Sequence, residues 1–340
     1  MAAEEEKFRN PSPPAHETRE ETAEKEAIGD TVYSKRWILR VLMRLAREEA
    51  DSSDLEADLE DSLCQLWDSA TDKDVVEFLL QFDAIEVTMK VIDTTSKPRL
   101  KEICVGILGN MACIPSACKE ISLEISKLTS ILGCGDPPTL LEAIRLFRTC
   151  LYDKEVGSRW LSELQNRQNQ DHLLFILESS LNVELLVACG NLINDGFDMD
   201  DSLVDSMANH EQCIRAMCEA LTQVRESDHS RAGIFVTMLH FLTTTETSVK
   251  AITDSSSLVL PIVSDYVTSV SSQIEIEEIE ADLSAASSLL QVLLSFPLVK
   301  REKINSHLIE SLRMIAKFVK PKFKDSITET VQLLLEKKQN

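Results

Sequence analysis

His210, Cys213 and Cys218 bring an imidazole and two thiols together within nine residues, and Cys113 and Cys118 repeat the same C-x4-C spacing. The chemistry this pattern raises is metal ligation. Zinc needs four ligands converging at about 2.0–2.3 Å. Pro115 separates one cysteine pair, and a helix turns Cys213 and Cys218 to different sides, so no metal is expected. Asn194 to Asp201 (NDGFDMDD) resembles a calcium loop at first sight. Counted from Asp198, however, Leu203 stands where glycine is needed and Asn209 where the bidentate glutamate belongs. The segment is expected to be a loop with an N-cap. His210-Glu211 and His16-Glu17 lack the second histidine of a zincin helix, and neither G-x-S-x-G nor a Walker loop occurs. Gly133-Cys134-Gly135 runs into Pro137 and Pro138 with no strand before it, and is expected to be a turn between repeats. Cys118 beside Lys119 is the remaining nucleophile candidate. Ser12-Pro13 is a minimal site for proline-directed phosphorylation, which would add charge for a basic partner to read. The expectation is no catalytic residue, no metal and no cofactor.

Any function must then come from surfaces. The chain has 340 residues, a net charge of −22, nine glycines and 5% aromatic residues. Low glycine with abundant Leu, Ile, Ser, Glu and Ala suits helices rather than sheets. The acidic balance argues against general binding to nucleic acid or anionic membranes, which requires clustered Lys and Arg. Residues 300–324 are the local exception, with eight basic against two acidic residues, read as a solvated face closing the structure. Nine cysteines at apolar positions, among them Cys64, Cys104, Cys150 and Cys189, read as reduced core residues. No apolar run approaches the roughly 18 residues of a membrane span, so a soluble intracellular protein is expected.

Residues 1–30 hold nine acids, four bases and three prolines, and are expected to be a disordered acidic tail. From Tyr33 the helical period takes over: Trp37, Ile38, Val41, Leu42 and Leu45 mark one face, with Asp30 or Thr31 as the cap. Glu48 to Asp74 carries eleven acids and one lysine, yet spaces Leu55, Leu59, Leu63 and Leu66 as a helix. The alternation at Ile274 to Ile279 reads as a helix start. Sliding the chain by 40 residues superposes Leu100 on Leu140 and Glu102 on Glu142, with Pro98 one residue from Pro137. Sliding it by 81 superposes Gly109-Asn110 on Gly190-Asn191. A period near 40 residues with two or three helices marks armadillo or HEAT architecture. The expected fold is an all-α, armadillo/HEAT-like α-solenoid over residues 31–340. It would comprise capping helices at 31–95, the clearest repeats at 96–200 and degenerate ones at 201–340. One helix per repeat would line the concave side.

Within "ICVGILGN", Leu100, Ile103, Cys104, Ile107, Leu108 and Met111 form the buried stripe, and Glu102, Gly106 and Asn110 form a second row at its edge. Gly109, echoed by Gly190, is expected to admit a neighbouring helix closely, so that leucine there costs about 1–3 kcal/mol by overpacking. Gly106 is expected to leave an open groove beside Asn110 and to tolerate replacement. "KEICVGILGNMA" resembles the third helix of importin-type armadillo repeats, whose asparagine holds the backbone of an extended peptide; Asn110 stands at that position. The tryptophan of that pattern is here Gly106, and Val187 before Asn191, which argues against clamping lysine stems.

"RNPSPP" (Arg9 to Pro14), "IGDTVYSKRW" (Ile28 to Trp37), "PRLKEICVGILGNMAC" (Pro98 to Cys113) and "DPPTLLE" (Asp136 to Glu142) resemble the serum amyloid A-like protein family. The resemblance is specific over roughly residues 9–155 and faint beyond about 200. It implies an armadillo-type nuclear protein associated with cell proliferation, and no reaction. The leading expectation is thus a non-enzymatic, monomeric scaffold in the nucleus, with some presence in the cytoplasm. It would bind a protein partner in a groove holding Glu102, Gly106, Asn110 and Asn191, without contacting nucleic acid or membrane. The alternative is a co-chaperone that embraces a cytosolic chaperone and alters nucleotide exchange.

Overall fold

A computed structural model describes residues 27–29, 31–48, 55–271, 279–296 and 306–339. The expectations for the acidic tail, Ser12, Asp30, the helix start at 274–278 and the basic residues 300–305 lie outside them. Among the described residues the fold is all-helical, with β pairing confined to an isolated bridge between Ala27 and Ser34. It divides into two compact units, one ending at Ile121 and the other beginning at Ser122.

The first unit contains α1 (Lys35–Ala46), α2 (Ala57–Ser69), α3 (Lys73–Leu80), α4 (Ala84–Thr94), α5 (Pro98–Met111) and α6 (Pro115–Ile121). Gly29, at φ +54°, makes the turn that precedes α1, a backbone angle that side chains with a Cβ avoid. The cap of α1 is Ser34, which accepts from the Trp37 amide at 3.1 Å, and not Thr31. Thr31 instead donates its hydroxyl to the Ile28 carbonyl at 2.7 Å, tying the turn shut. Asp72 caps α3, and prolines open α5 and α6, where a missing N–H costs nothing. The expected stripe of α5 is buried in full. Helix α1 packs on α4, α2 on α5 and α3 on α6, so each helix meets the one three places later.

The second unit repeats that rule. After a 3₁₀ turn at Ser122–Glu124 come α7 (Ile125–Ser130), a second 3₁₀ turn at Ile131–Gly133, α8 (Pro137–Leu151), α9 (Gly157–Gln165), α10 (Arg167–Ser179) and α11 (Val183–Met199). Then follow α12 (Asp201–Ala208), α13 (Cys213–Ser227), α14 (His229–Phe241), α15 (Glu246–Asp254), α16 (Ser256–Val270), α17 (Glu280–Ser295), α18 (Ser306–Ile315) and α19 (Pro321–Gln339). The third helices form one ladder, α8 on α11, α11 on α14, α14 on α17 and α17 on α19. The second helices form another, α10 on α13, α13 on α16 and α16 on α18; the short first helices α9, α12 and α15 form the third. A short helix followed by two longer ones, stacked on its own kind, is the armadillo arrangement, an α-solenoid.

The step between third helices is longer than the expected 40 residues: α8, α11, α14 and α17 start at Pro137, Val183, His229 and Glu280. The 40-residue match arose between Pro98 and Pro137, where the second helix is reduced to six-residue α7 and its flanking 3₁₀ turns. Gly133 and Gly135 do form the inter-repeat turn. Asn194–Met199 is not a loop but the end of α11, because Leu192, Ile193, Gly196 and Phe197 continue its apolar stripe; the N-cap is Asp200, accepting from Ser202 N at 2.8 Å.

None of the nine cysteines forms a disulfide; Cys113 is exposed and Cys64 and Cys134 are half-buried, so the core reading holds for the other six. Burial pushes the thiols of Cys104, Cys213 and Cys218 up to about 12, which keeps them protonated and unreactive at neutral pH. Cys118 is wholly buried, which removes it as an accessible nucleophile. His210 is buried too: Nε2 lies 2.7 Å from an Asp171 carboxylate oxygen and Nδ1 accepts from Gln212 N, a structural bridge between α10 and the start of α13.

Asp228 illustrates how the caps hold this unit. Its carboxylate accepts from the Ser230 hydroxyl and amide, from Arg231 N and from Arg231 Nε, at 2.7–3.1 Å. These bonds, that of the Ser230 hydroxyl foremost, hold its pKa down at about 2 against the opposing effect of burial. The folded value lies below that of a free aspartate, near 3.9. The stabilisation is therefore present above about pH 4 and lost as the pH falls towards 2. Asp228→Ala should cost about 1 kcal/mol at pH 7, and urea unfolding should show the gap to wild type narrowing below pH 4.

Candidate protein-interaction face

The four residues expected to line a groove belong to two different units of the chain. Glu102 is half-buried and paired with Arg99 at 2.9 Å; Arg99 in turn donates to Glu60 of α2 at 2.7 Å. Gly106 is not open. A Cβ there would lie 2.2 Å from Cε2 and Cζ2 of the Trp67 indole, so the space beside it is filled by α2. Asn110 donates from Nδ2 to the Trp67 carbonyl at 2.7 Å, a second bond to an acceptor at the C-terminal end of α2 that also takes the Ala70 amide at 3.2 Å. Glu102, Gly106 and Asn110 thus share one seam between α2 and α5, in the first unit.

Asn191 lies in the second unit, on α11, and differs in kind. It is half-buried and makes no side-chain hydrogen bond among the described residues. Gly190 beside it does what the spacing implied: a Cβ would meet Cε1 of Phe235 at 2.9 Å and Cγ2 of Ile234 at 3.4 Å, so glycine lets α14 approach α11. Gly233 does the same in the following repeat, facing Asp282 of α17.

Around Asn191 the third helices carry polar links that the sequence reading missed. Arg148 of α8 is ion-paired with Asp195 of α11, one turn beyond Asn191. The hydrogen bond that Arg148 donates to Asp195 raises its pKa, while burial raises that of Tyr152 at the end of α8. Arg231 of α14 reaches back to Glu184 of α11 at 2.7 Å, and Thr237 donates to Asp282 of α17 at 3.2 Å. Gln291 of α17 donates to the Ser326 carbonyl and the Thr330 hydroxyl of α19, at 2.9 and 3.1 Å. Oppositely charged residues 47 apart, Arg148 with Asp195 and Glu184 with Arg231, were the available signal. The face offers fixed donors, acceptors and charges. Among the described residues it holds no cluster of three His, Cys, Asp or Glu able to grip a metal, and no helix is long and apolar enough to cross a membrane.

The basic stretch is partly neutralised: Lys320 pairs with Glu280 at 3.1 Å and Lys322 lies over its neighbour Phe323.

The chain's fold is shared with a crystal structure of an engineered protein from the Northeast Structural Genomics Consortium. That likeness has a TM-score of 0.55 at 13% identity and covers 75% of this chain and 99% of that one. Among curated proteins, Protein saal1 of Danio rerio is 39% identical over 274 residues, 73% of this chain and 58% of its own length. Protein SAAL1 of Homo sapiens is 35% identical over 261 residues, 67% of this chain and 55% of its own. The chain therefore spans less than two thirds of the length of these relatives. The family model described as the SAAL1 C-terminal domain matches residues 170–339, half the chain, where the sequence reading had found the resemblance fading. With the family model on its C-terminal half and relatives at 35–39% identity, the chain belongs to the SAAL1 family.

Proposed function

We propose that this chain is a non-enzymatic scaffold that holds an extended segment of a protein partner along its third helices, with Asn191 as the peptide-binding residue. The observation carrying this reading is the state of Asn191: a half-buried amide on the third-helix ladder, its hydrogen-bonding capacity unused within the described residues, beside the fixed Arg148–Asp195 pair. An asparagine amide can donate to a carbonyl and accept from an N–H of the same extended backbone. Asn110, Glu102 and Gly106 belong to the same proposal as supports of the α2–α5 seam. A nuclear site of action and a role in promoting proliferation rest on family resemblance alone.

Cross-linking with partner identification tests it. Asn191→Ala should leave the melting temperature unchanged and reduce partner recovery by about tenfold, the loss of one or two hydrogen bonds. Asn110→Ala should cost about 1 kcal/mol of stability through the lost hydrogen bond to the Trp67 carbonyl. Full recovery of partners by Asn191→Ala overturns the assignment.

A further inference from the structure

Helix α1 contradicts the acidic character of the chain. Between Thr31 and Arg47 it carries Lys35, Arg36, Arg40, Arg44 and Arg47 and no acid. Arg36, Arg40, Met43 and Arg47 stand at i, i+4, i+7 and i+11, which places them on one face over about 16 Å of helix. They line a shallow concavity of about 330 Å³ with Leu39 and Arg44. Arg44 is already engaged by Glu56 and Asp58, at 3.0 and 2.7 Å. Arg36, Arg40 and Arg47 are exposed and pair with no acid among the described residues, and Met43 is 52% exposed between them.

We propose that this face docks an acidic amphipathic segment of a partner protein, its carboxylates on Arg36, Arg40 and Arg47 and an apolar side chain on Met43 and Leu39. The site lies in the first unit, on residues the proposed function does not use. Charge complementarity selects the partner: guanidinium forks match carboxylates two bonds at a time, and a basic patch unpaired among the described residues of an acidic chain marks a local attractor. The apolar floor favours a peptide over nucleic acid, because a phosphate backbone gains nothing from methionine and is repelled by a chain of net charge −22.

Fluorescence anisotropy on the full chain tests this with a fluorescein-labelled helical peptide of Glu, Leu and Ala that spaces acids at i and i+4 with leucines between. The sequence-scrambled peptide and a single-stranded DNA of similar length serve as comparators. The patterned peptide should bind best, and the Arg36→Glu, Arg40→Glu, Arg47→Glu triple variant should weaken it at least about tenfold with an unchanged circular dichroism spectrum. Arg40→Gln alone should weaken it about threefold and keeps the test valid if the triple variant misfolds. Met43→Ser should weaken the patterned peptide more than the scrambled one. Equal binding by the triple variant, equal binding of the scrambled peptide, or tighter binding of the DNA each overturns the proposal. So does a tenfold gain on changing Glu17, Glu20, Glu21 and Glu24 to Gln, which would assign the arginines to the chain's own acidic segment.

Discussion

Trp160→Ala should lower the unfolding free energy of the second unit by about 3–5 kcal/mol, the range for truncating a fully buried aromatic side chain. Trp160 is 1% exposed, on short helix α9. Its ring meets Phe147 of α8 edge-on, with centroids 4.8 Å apart, and Nε1 donates to the Ser122 hydroxyl at 2.8 Å. Ser122 is itself wholly buried, so removing the indole leaves a cavity and breaks a buried hydrogen bond. The loss is large against the roughly 5–15 kcal/mol that holds a typical domain together. Neighbour contacts dominate repeat stability, so the damage should spread to α11 and α12, which also pack on α9. Urea unfolding followed by circular dichroism checks the magnitude, and Trp160→Phe, which keeps most of the ring, should fall about halfway. A loss below about 1 kcal/mol would mean that the α8–α9 junction is held elsewhere.

Helical period exposed the buried stripe of α5 because an apolar face is a one-dimensional pattern: Leu100, Ile103, Cys104, Ile107, Leu108 and Met111 could point only one way. The repeat was visible for the same reason, since Pro98 and Pro137 open helices of one class. What a residue touches on another helix depends on the stagger between repeats, which no single helix encodes. Asn110 therefore read as a peptide ligand, while the fold turns it to the Trp67 carbonyl. The arginines of α1 escaped notice because summed charge hides them among the acids that follow; plotted by helical angle they align. Asp195 and Asp198 suggested a loop, but an exposed Asp198 and an Asp195 paired with Arg148 cost an amphipathic helix little, and the apolar stripe of α11 decided the structure.

Gly106→Ala should destabilise the first unit by about 1–3 kcal/mol, reversing the gain of about 0.5–1 kcal/mol that alanine normally brings to a helix interior. The new Cβ would lie 2.2 Å from two carbons of the Trp67 indole, a separation no contact can hold. Either the indole swings out or α5 shifts from α2. A shift strains two links at once, Arg99 to Glu60 at 2.7 Å and Asn110 to the Trp67 carbonyl at 2.7 Å. Trp67 is only half-buried, so the indole is the group able to yield, which keeps the expected cost at the lower end for alanine and higher for leucine. A double-mutant cycle isolates the contact: in a Trp67→Ala background the same substitution should be neutral or stabilising, with a coupling of at least about 1 kcal/mol. Should Gly106→Ala instead stabilise the wild-type chain, α2 does not close over α5, and the open groove beside Asn110 returns as the better reading. Partner recovery separates the two cases again, because a seam glycine that only packs should change binding in proportion to unfolding, whereas Asn191→Ala should change binding with none.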